Sequence, residues 1–454
     1  MLAEVLEPET SCGSFLSPAW AMTVAGNHSM KPIKHLRWWI VWTLFGSTVI
    51  NYVSRMTISL LSQIIIPEFH LTYAQYGAIG SFFSYAYAVT WLVGGIILDR
   101  VGPRIGLTVA VIWWSVVNIV TSAASSLLAL QILRSLFGVG EGFNWPGANK
   151  VVAEWFPARE RGLAVGIFDS GSSVGGLIAG PLVTFVALRF GWRATFVVTG
   201  AMGFFWLIPW LYFYRPLTSH PRLSLDERRL IESGRDTALR SSRQGLDKYL
   251  GLLRQSNVWG IVLGRTLTDP IWWFYITWMP QYFGEVRGFN LKQIGFFLPS
   301  IFIASDLGNL MGGWVSGRLI NRGMPVLAAR KWVCVFSAVP MLAVIPGAMT
   351  SHRFLALSLI CLATWGYASW STMGLAFPPD LFPQDTVGAV TGLSGLSAGL
   401  AGGVVLWVVG LIRDHFHSYL PSLLAAGLIP LLATACVLVL IRSPKAQNLA
   451  SPSP

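Results

Sequence analysis

Three arginines stand inside long apolar runs of this 454-residue chain: Arg55, Arg134 and Arg265. A charge at the centre of a bilayer costs roughly 2.5–3.5 kcal/mol even on lenient insertion scales, so each needs a partner or a task. Arg134 is followed seven residues later by Glu141, an offset of roughly 20° around a helix and about 10 Å along it. The two therefore share a face, and Gly138 between them keeps that face open. Arg55 lies close to Tyr52 on an earlier run. Two guanidiniums facing one cavity suit a carboxylate, because each offers a planar fork for bidentate pairing. An ionised Glu141 competes for the same arginines, which would couple anion binding to proton release. The same residues would equally serve as a permanent structural pair, and their spacing leaves both readings open.

Other in-span charges suggest humbler tasks. Arg265 and Asp269 are four apart and can pair along one helix face, with Pro270 loosening the helix behind them as a gating bend. Asp306, in ASDLGNL, sits among small residues and suits a helix–helix hydrogen bond. Asp169, in IFDSGSS, could join a cavity or pair with a loop arginine. Histidines are scattered, the four cysteines lack metal or redox spacing, and the glycine-rich stretches lie inside apolar runs. An enzyme is not expected, and neither a cofactor nor a metal.

These residues must be positioned by helices in lipid. Hydrophobic residues make up 54% and charged ones only 11%, against about 25% charged in soluble domains. Twelve apolar runs long enough to span follow one another between residues 38 and 442. Of 32 Lys and Arg, 23 lie on the side of the termini, 6 on the other side and 3 within spans, which predicts cytoplasmic termini. That bias absorbs the net charge of +12 without nucleic acid. The block GGIILDRVGPRIG (94–106) returns 218 residues later, Gly94, Gly95 and Arg100 matching Gly312, Gly313 and Arg318. Phe156-Pro157 and Gly162, Gly166 and Gly176 return at an offset of 226 as Phe382-Pro383 and Gly388, Gly392 and Gly402. Two constant offsets predict two parallel repeats. The divisions are a tail 1–35 without secretory-signal features, a helical half 36–214, a linker 215–257, a second half 258–442 and a tail 443–454. SLDERRLIE in the linker predicts a short surface helix, its charges facing water and lipid headgroups.

With twelve spans, two halves and the 94–106 block, the chain resembles the major facilitator superfamily. More narrowly it is similar to the anion:cation symporters, the branch of hexuronate and galactonate transporters. NYVSRMTIS (51–59), residues 134–172, GWRATFVVTGAMGFFW (191–206), RTLTDPIWWFYITWMPQYF (265–283) and ASDLGNLMGGW (304–314) carry the likeness. The resemblance implies an all-α membrane protein of twelve transmembrane helices in two pseudo-symmetric six-helix halves. It implies that Arg55 and Arg134 bind the anion, that Glu141 couples protons, and that Asp99, Arg100 and Arg104 latch the halves together. Tyr52, Tyr87, Trp273, Tyr275 and Trp370 match cavity aromatics of the branch.

Departures from the branch carry their own expectations. Ser54 replaces its usual first-helix Asp and Asp169 its usual fifth-helix Asn, so Asp169 is expected to compensate for the missing acid. Tyr367 and Met373 stand where hexuronate-type members carry His and Asn, which predicts fewer hydroxyl partners and a less hydroxylated or aromatic carboxylate. The expected function is import of an organic anion across the inner (plasma) membrane by proton symport with alternating access. A monomer is expected, contacting lipid and driven by the proton gradient alone. Alternatives are an anion exporter or exchanger and a transporter-like sensor without flux.

Overall fold

The computed structural model describes residues 31–233, 251–382 and 384–442. Among the described residues every regular element is helical. A chain in hydrocarbon has no water for its peptide groups, and a helix closes those bonds internally. Helix α1 (Leu36–Leu60) bends by 50° into α2 (Ser62–Glu68). Next come α3 (Tyr73–Val101), α4 (Pro103–Thr121) and the broken pair α5 (Leu127–Glu141) and α6 (Asn144–Trp155). Helix α7 (Ala158–Phe213) is two rods meeting at Gly191, whose φ of 86° suits glycine. After α8 (Leu225–Ser233) the pattern resumes with α9 (Ser256–Glu285), the pair α10 (Leu291–Phe297) and α11 (Pro299–Asn321), and the pair α12 (Val326–Met341) and α13 (Val344–Met349). It ends with α14 (Arg353–Leu381), α15 (Gln384–Phe416) and α16 (Leu420–Leu440). Counting broken pairs once and α7 twice, the described residues form twelve rods, six on either side of α8.

Eight segments are long and apolar enough to cross a membrane, and the bent α1–α2 pair makes a ninth. One of the eight lies within α7 and, at 51 residues, is long enough to cross twice. The rods that do not qualify unaided are α1, α5–α6 and α9. These carry Arg55, Arg134 and Arg265, so the least apolar crossings are the ones that hold charge.

The described chain ends share one end of the bundle, here the tail end: Ile33 bonds to the Arg222 carbonyl at 3.0 Å and Asn257 to the Arg442 carbonyl at 3.1 Å. Helix α8 is where the linker motif predicted it, with Ser224 accepting the Glu227 N–H at 3.2 Å. Its charges do not all face solvent. Glu227 is buried, accepts the N–H groups of Leu36 and Arg37 at 3.1 and 3.2 Å, and pairs with Arg37 Nη1 at 2.7 Å. A carboxylate there satisfies donors that no turn of α1 can reach and opposes the helix dipole. Residues 1–30, 234–250 and 443–454, which complete the expected tails and linker, lie outside the described residues.

The two sets of rods meet most closely at the opposite end. A Cβ on Gly77 would sit 2.3 Å from the Leu406 carbonyl and one on Gly410 2.3 Å from that of Tyr73, so α3 and α15 touch backbone to backbone. Gly180 and Gly295 do the same between α7 and α10. Thr72 and Gln75 form a capping box on α3. The first two N–H groups of that helix, from Tyr73 and Ala74, donate instead to Asp414 of α15 at 2.9 and 2.7 Å. Glu285 of α9 accepts from Tyr73 Oη at 2.5 Å, Tyr419 Oη at 3.2 Å and Arg413 at 3.3 Å. At the tail end, by contrast, Cβ atoms on Gly95, Gly166, Gly313, Gly317 and Gly388 would meet nothing within 4 Å. One end is sealed and the other is apart.

Asp414 thus ties one half to a helix N-terminus of the other by charge-assisted bonds, about 1–2 kcal/mol in a partly buried setting. Asp414→Asn should raise the population open at the sealed end by roughly tenfold. Labelling of a cysteine introduced at Tyr76 by an impermeant maleimide would report it, and an unchanged rate would remove Asp414 from the seal.

Candidate functional site

Between the seal and the tail end lies a cavity of about 550 Å³. Tyr52 and Arg55 reach it from α1, Tyr87 and Trp91 from α3, Trp145 from α6 and Asp169 from α7. The second half supplies Arg265, Asp269, Trp272 and Trp273 from α9, Asp306 and Asn309 from α11, and Tyr367, Ser371 and Thr372 from α14.

Arg55 holds the centre and is only 6% exposed. Its Nε donates to Glu141 at 2.9 Å and its Nη2 to Asn51 at 3.3 Å, neither bond engaging Nη1. Its guanidinium carbon lies 4.7 Å from the ring centroid of Tyr87, 5.0 Å from Tyr52, 5.2 Å from Phe83, 5.6 Å from Trp273 and 6.0 Å from Trp145. Ring faces attract a cation without neutralising it, by about 0.5–2 kcal/mol each. Four of these rings belong to the first half and Trp273 to the second, so Arg55 is caged across the interface.

Arg134 and Glu141 do not pair with each other along their shared rod. Glu141 turns to Arg55, leaving its Oε1 without a partner. Arg134 packs on Phe137 and Phe83 and gives one long bond, Nη2 to the Arg55 carbonyl at 3.4 Å, while Nε and Nη1 are unpaired. It lies behind Arg55 in a smaller space of about 20 Å³, room for about one water, and does not line the main cavity.

Several expectations change. Tyr275 is buried in the apolar core and Trp370 donates to Thr434 at 3.0 Å, so neither reaches the cavity. Tyr52, Tyr87 and Trp273 do. Asp99 pairs with Lys150 at 2.6 Å, Arg104 bonds to the Leu211 carbonyl at 3.3 Å, and Arg100 is exposed. All these partners belong to the first half, so with the tail end apart the three residues latch nothing across it. Arg265 and Asp269 form the expected pair at 2.7 Å, yet on the cavity wall. Asp306 does accept a helix–helix hydrogen bond, from Ser173, and Asp169 accepts from Trp145 at 2.9 Å instead of a loop arginine. Ser54 faces the Thr199 carbonyl of α7 at 3.3 Å and is fully buried, so it shares no space with Asp169.

Tyr367 lines the cavity, and the wall carries hydroxyl and amide groups at other positions as well. Met373 is buried off the cavity, but Ser371 and Thr372 beside it, Asn309, and Ser170, Ser172 and Ser173 line the wall. The signal was present as polar residues at helical spacing in apolar helices, Ser305-Asp306 with Asn309 on α11 and Asp169-Ser170 with Ser172-Ser173 on α7.

The sequence profile described as Major Facilitator Superfamily matches residues 44–406, most of the chain. The chain belongs to the major facilitator superfamily. It is 33% identical over 389 residues to the hexuronate transporter of Escherichia coli (strain K12), covering 85% of this chain and 89% of that protein. It is 32% identical over 337 residues to the galacturonate transporter of Dickeya chrysanthemi, covering 74% of this chain and 97% of the other. Among solved structures, a bacterial homologue of the human lysosomal transporter Spinster, inward-facing and occupied, superposes with a TM-score of 0.73 at 18% identity, over 91% of this chain and all of that one. That likeness concerns the fold. As a member of the superfamily the protein is a multi-pass membrane transporter and not an enzyme.

Because Ser54 is packed against α7, a carboxylate placed there cannot stand in for Asp169. Asp169→Asn should slow transport, and adding Ser54→Asp should restore none of it and lower stability, since an acid would be buried against a carbonyl. Initial rates and melting temperatures of both variants check this, and any rescue would restore the compensation.

Proposed function

We propose that this protein imports a sugar acid, a hexuronate or aldonate, with protons across the inner membrane, both termini cytoplasmic. The observation that carries the reading is Arg55, a caged guanidinium on the cavity wall whose carboxylate partner is Glu141. The lysine and arginine bias supports cytoplasmic termini, and the sugar-acid relatives support the substrate class. With the tail end apart, the cavity faces the cytoplasm in this state.

Coupling follows from competition. While Glu141 is ionised it neutralises Arg55, and an arriving carboxylate meets a spent cation and a repelling acid. Protonation of Glu141 frees Nε and restores a full positive charge to the cavity, so proton and anion favour each other reciprocally. Arg134 behind Arg55 adds positive potential without touching the substrate in this state. The aromatic cage keeps Arg55 in place when Glu141 lets go. Release to the cytoplasm reverses the order: the anion leaves, Glu141 loses its proton, and the ion pair closes.

Uptake of labelled D-glucuronate or D-galactonate into proteoliposomes, with and without an inward pH gradient, tests the reading. Arg55→Gln should lower uptake at limiting substrate on the order of 100-fold or more, as expected when a buried charge pair loses its cation. Arg134→Ala should also abolish concentrative uptake while the protein still folds. Normal uptake in either variant would sink its role.

Glu141→Gln imitates the protonated acid. Counterflow should persist, whereas accumulation driven by the pH gradient should vanish. A mutant that still concentrates substrate would show that the coupling proton is carried elsewhere.

A further inference from the structure

Two buried polar atoms beside the central arginine are left over, and they are complementary. Glu141 gives Oε2 to Arg55 Nε at 2.9 Å and keeps Oε1 unpartnered. Asn51, one turn before Arg55 on α1, gives Oδ1 to Arg55 Nη2 at 3.3 Å and keeps Nδ2 unpartnered. Both residues are wholly buried, and neither lines the main cavity. Nε and Nη2 are adjacent nitrogens of one planar group, so the acid and the amide stand side by side on one guanidinium. An acceptor and a donor orphaned at such a place each forgo a bond that native interiors normally make.

We propose that Asn51 receives Glu141 when the acid is protonated, the two closing a paired acid–amide contact, and so links loading of the proton to loading of the anion. The inference rests on the proton-coupled reading and adds the residue that holds the coupling acid in its neutral form.

The chemistry follows from donors and acceptors. An ionised carboxylate only accepts, and Arg55 suits it. A protonated one has an O–H that needs an acceptor and a carbonyl that takes a donor. A carboxamide offers both in one plane: the acid O–H donates to Oδ1, and Nδ2 donates to the acid carbonyl. Asn51 is free to do so once Nη2 releases its Oδ1. A substrate carboxylate that takes the fork of Nη1 and Nη2 releases it. The anion thus frees the acceptor that the neutral acid requires, and the neutral acid leaves Arg55 to the anion, so each favours the other. The remaining ionisable groups acting near Glu141 are Arg134 on its own rod and the hydroxyls of Tyr52 and Tyr87. Helix α4 brings only Arg104, at the tail end, and Asp169 of α7 is held by Trp145. Arg134 only donates and each tyrosine offers a single hydroxyl, so the amide alone matches both atoms of the acid.

The test follows uptake of labelled D-glucuronate by purified full-length protein in proteoliposomes over a series of external pH values. Wild-type rates should fall as pH rises, and Glu141→Gln counterflow should be flat. Asn51→Leu removes two bonds from the protonated state and one from the ionised state, so more acid is needed to load the proton. Its midpoint should move down by about half to one pH unit. Asn51→Asp places there a carboxylate that repels the ionised acid, and should move the midpoint up. Opposite shifts from one position are not what a packing residue gives. In the Glu141→Gln background Asn51→Leu should leave the profile flat. If uptake is slower in either variant with its midpoint unmoved, Asn51 is a brace, and the inference falls while the transport reading stands. Should Asn51→Leu not fold, Asn51→Asp decides alone, an unmoved or lowered midpoint overturning the inference. A pH-dependent Glu141→Gln would overturn the coupling acid, and this inference with it.

Discussion

Holding a guanidinium and a carboxylate together inside a helical bundle is the constraint around which this molecule is arranged. The pair Arg55–Glu141 joins α1 to α5, and desolvation can exceed what its mutual attraction returns. The deficit is met locally. Five aromatic rings surround Arg55, Asn51 takes one of its donors, and Arg134 brings a second cation toward the same acid. The rods that carry in-span arginines are the ones too polar to qualify as spans unaided, so they must be shielded by their neighbours. The apolar helices α4, α12, α13 and α16 contribute nothing to the cavity lining, and Trp370 shows one of them at work, anchored to Thr434 of α16 behind the wall.

Around that pair the protein is sealed at one end and parted at the other. The seal is made of backbone: glycines of α3, α7, α10 and α15 bring main chains into contact, and Asp414 caps a helix belonging to the opposite half. Such contacts are short and directional. They hold fully or not at all, which suits a structure required to exchange one closed end for the other. Glu285, gathering Tyr73, Arg413 and Tyr419 onto one carboxylate, draws α3, α9 and the start of α16 to a single point.

Much of this was legible in the residues. Ionisable groups inside apolar runs mark their own importance, because burial of charge is too costly to be incidental, and Arg55, Glu141, Asp169, Arg265, Asp269 and Asp306 all proved to stand at or beside the cavity. Helix count and the linker helix were readable from hydropathy and from the Ser224–Glu227 cap. Partner choice was not. Sequence spacing shows neighbours along one helix, as for Arg265 and Asp269, but Glu141 chose an arginine 86 positions away over one seven residues off. Rotation about the helix axis was equally invisible, and it decided that Tyr275 and Trp370 face the core while Trp273 faces the cavity. Asp99 was assigned a contact that can exist only when the tail end is closed, and a single conformation has a single set of partners.

The parted end carries a consequence for how the chain tolerates change. At Gly95, Gly166, Gly313, Gly317 and Gly388 an added Cβ would meet nothing within 4 Å in this arrangement. An alanine there leaves this conformer's packing intact, and one that would fall between the halves when the tail end closes acts as a doorstop. Such positions separate survival of the fold from completion of the cycle. A chain altered at one that does fall between the halves would fold, reach its membrane and bind its cargo from one side, yet never turn over.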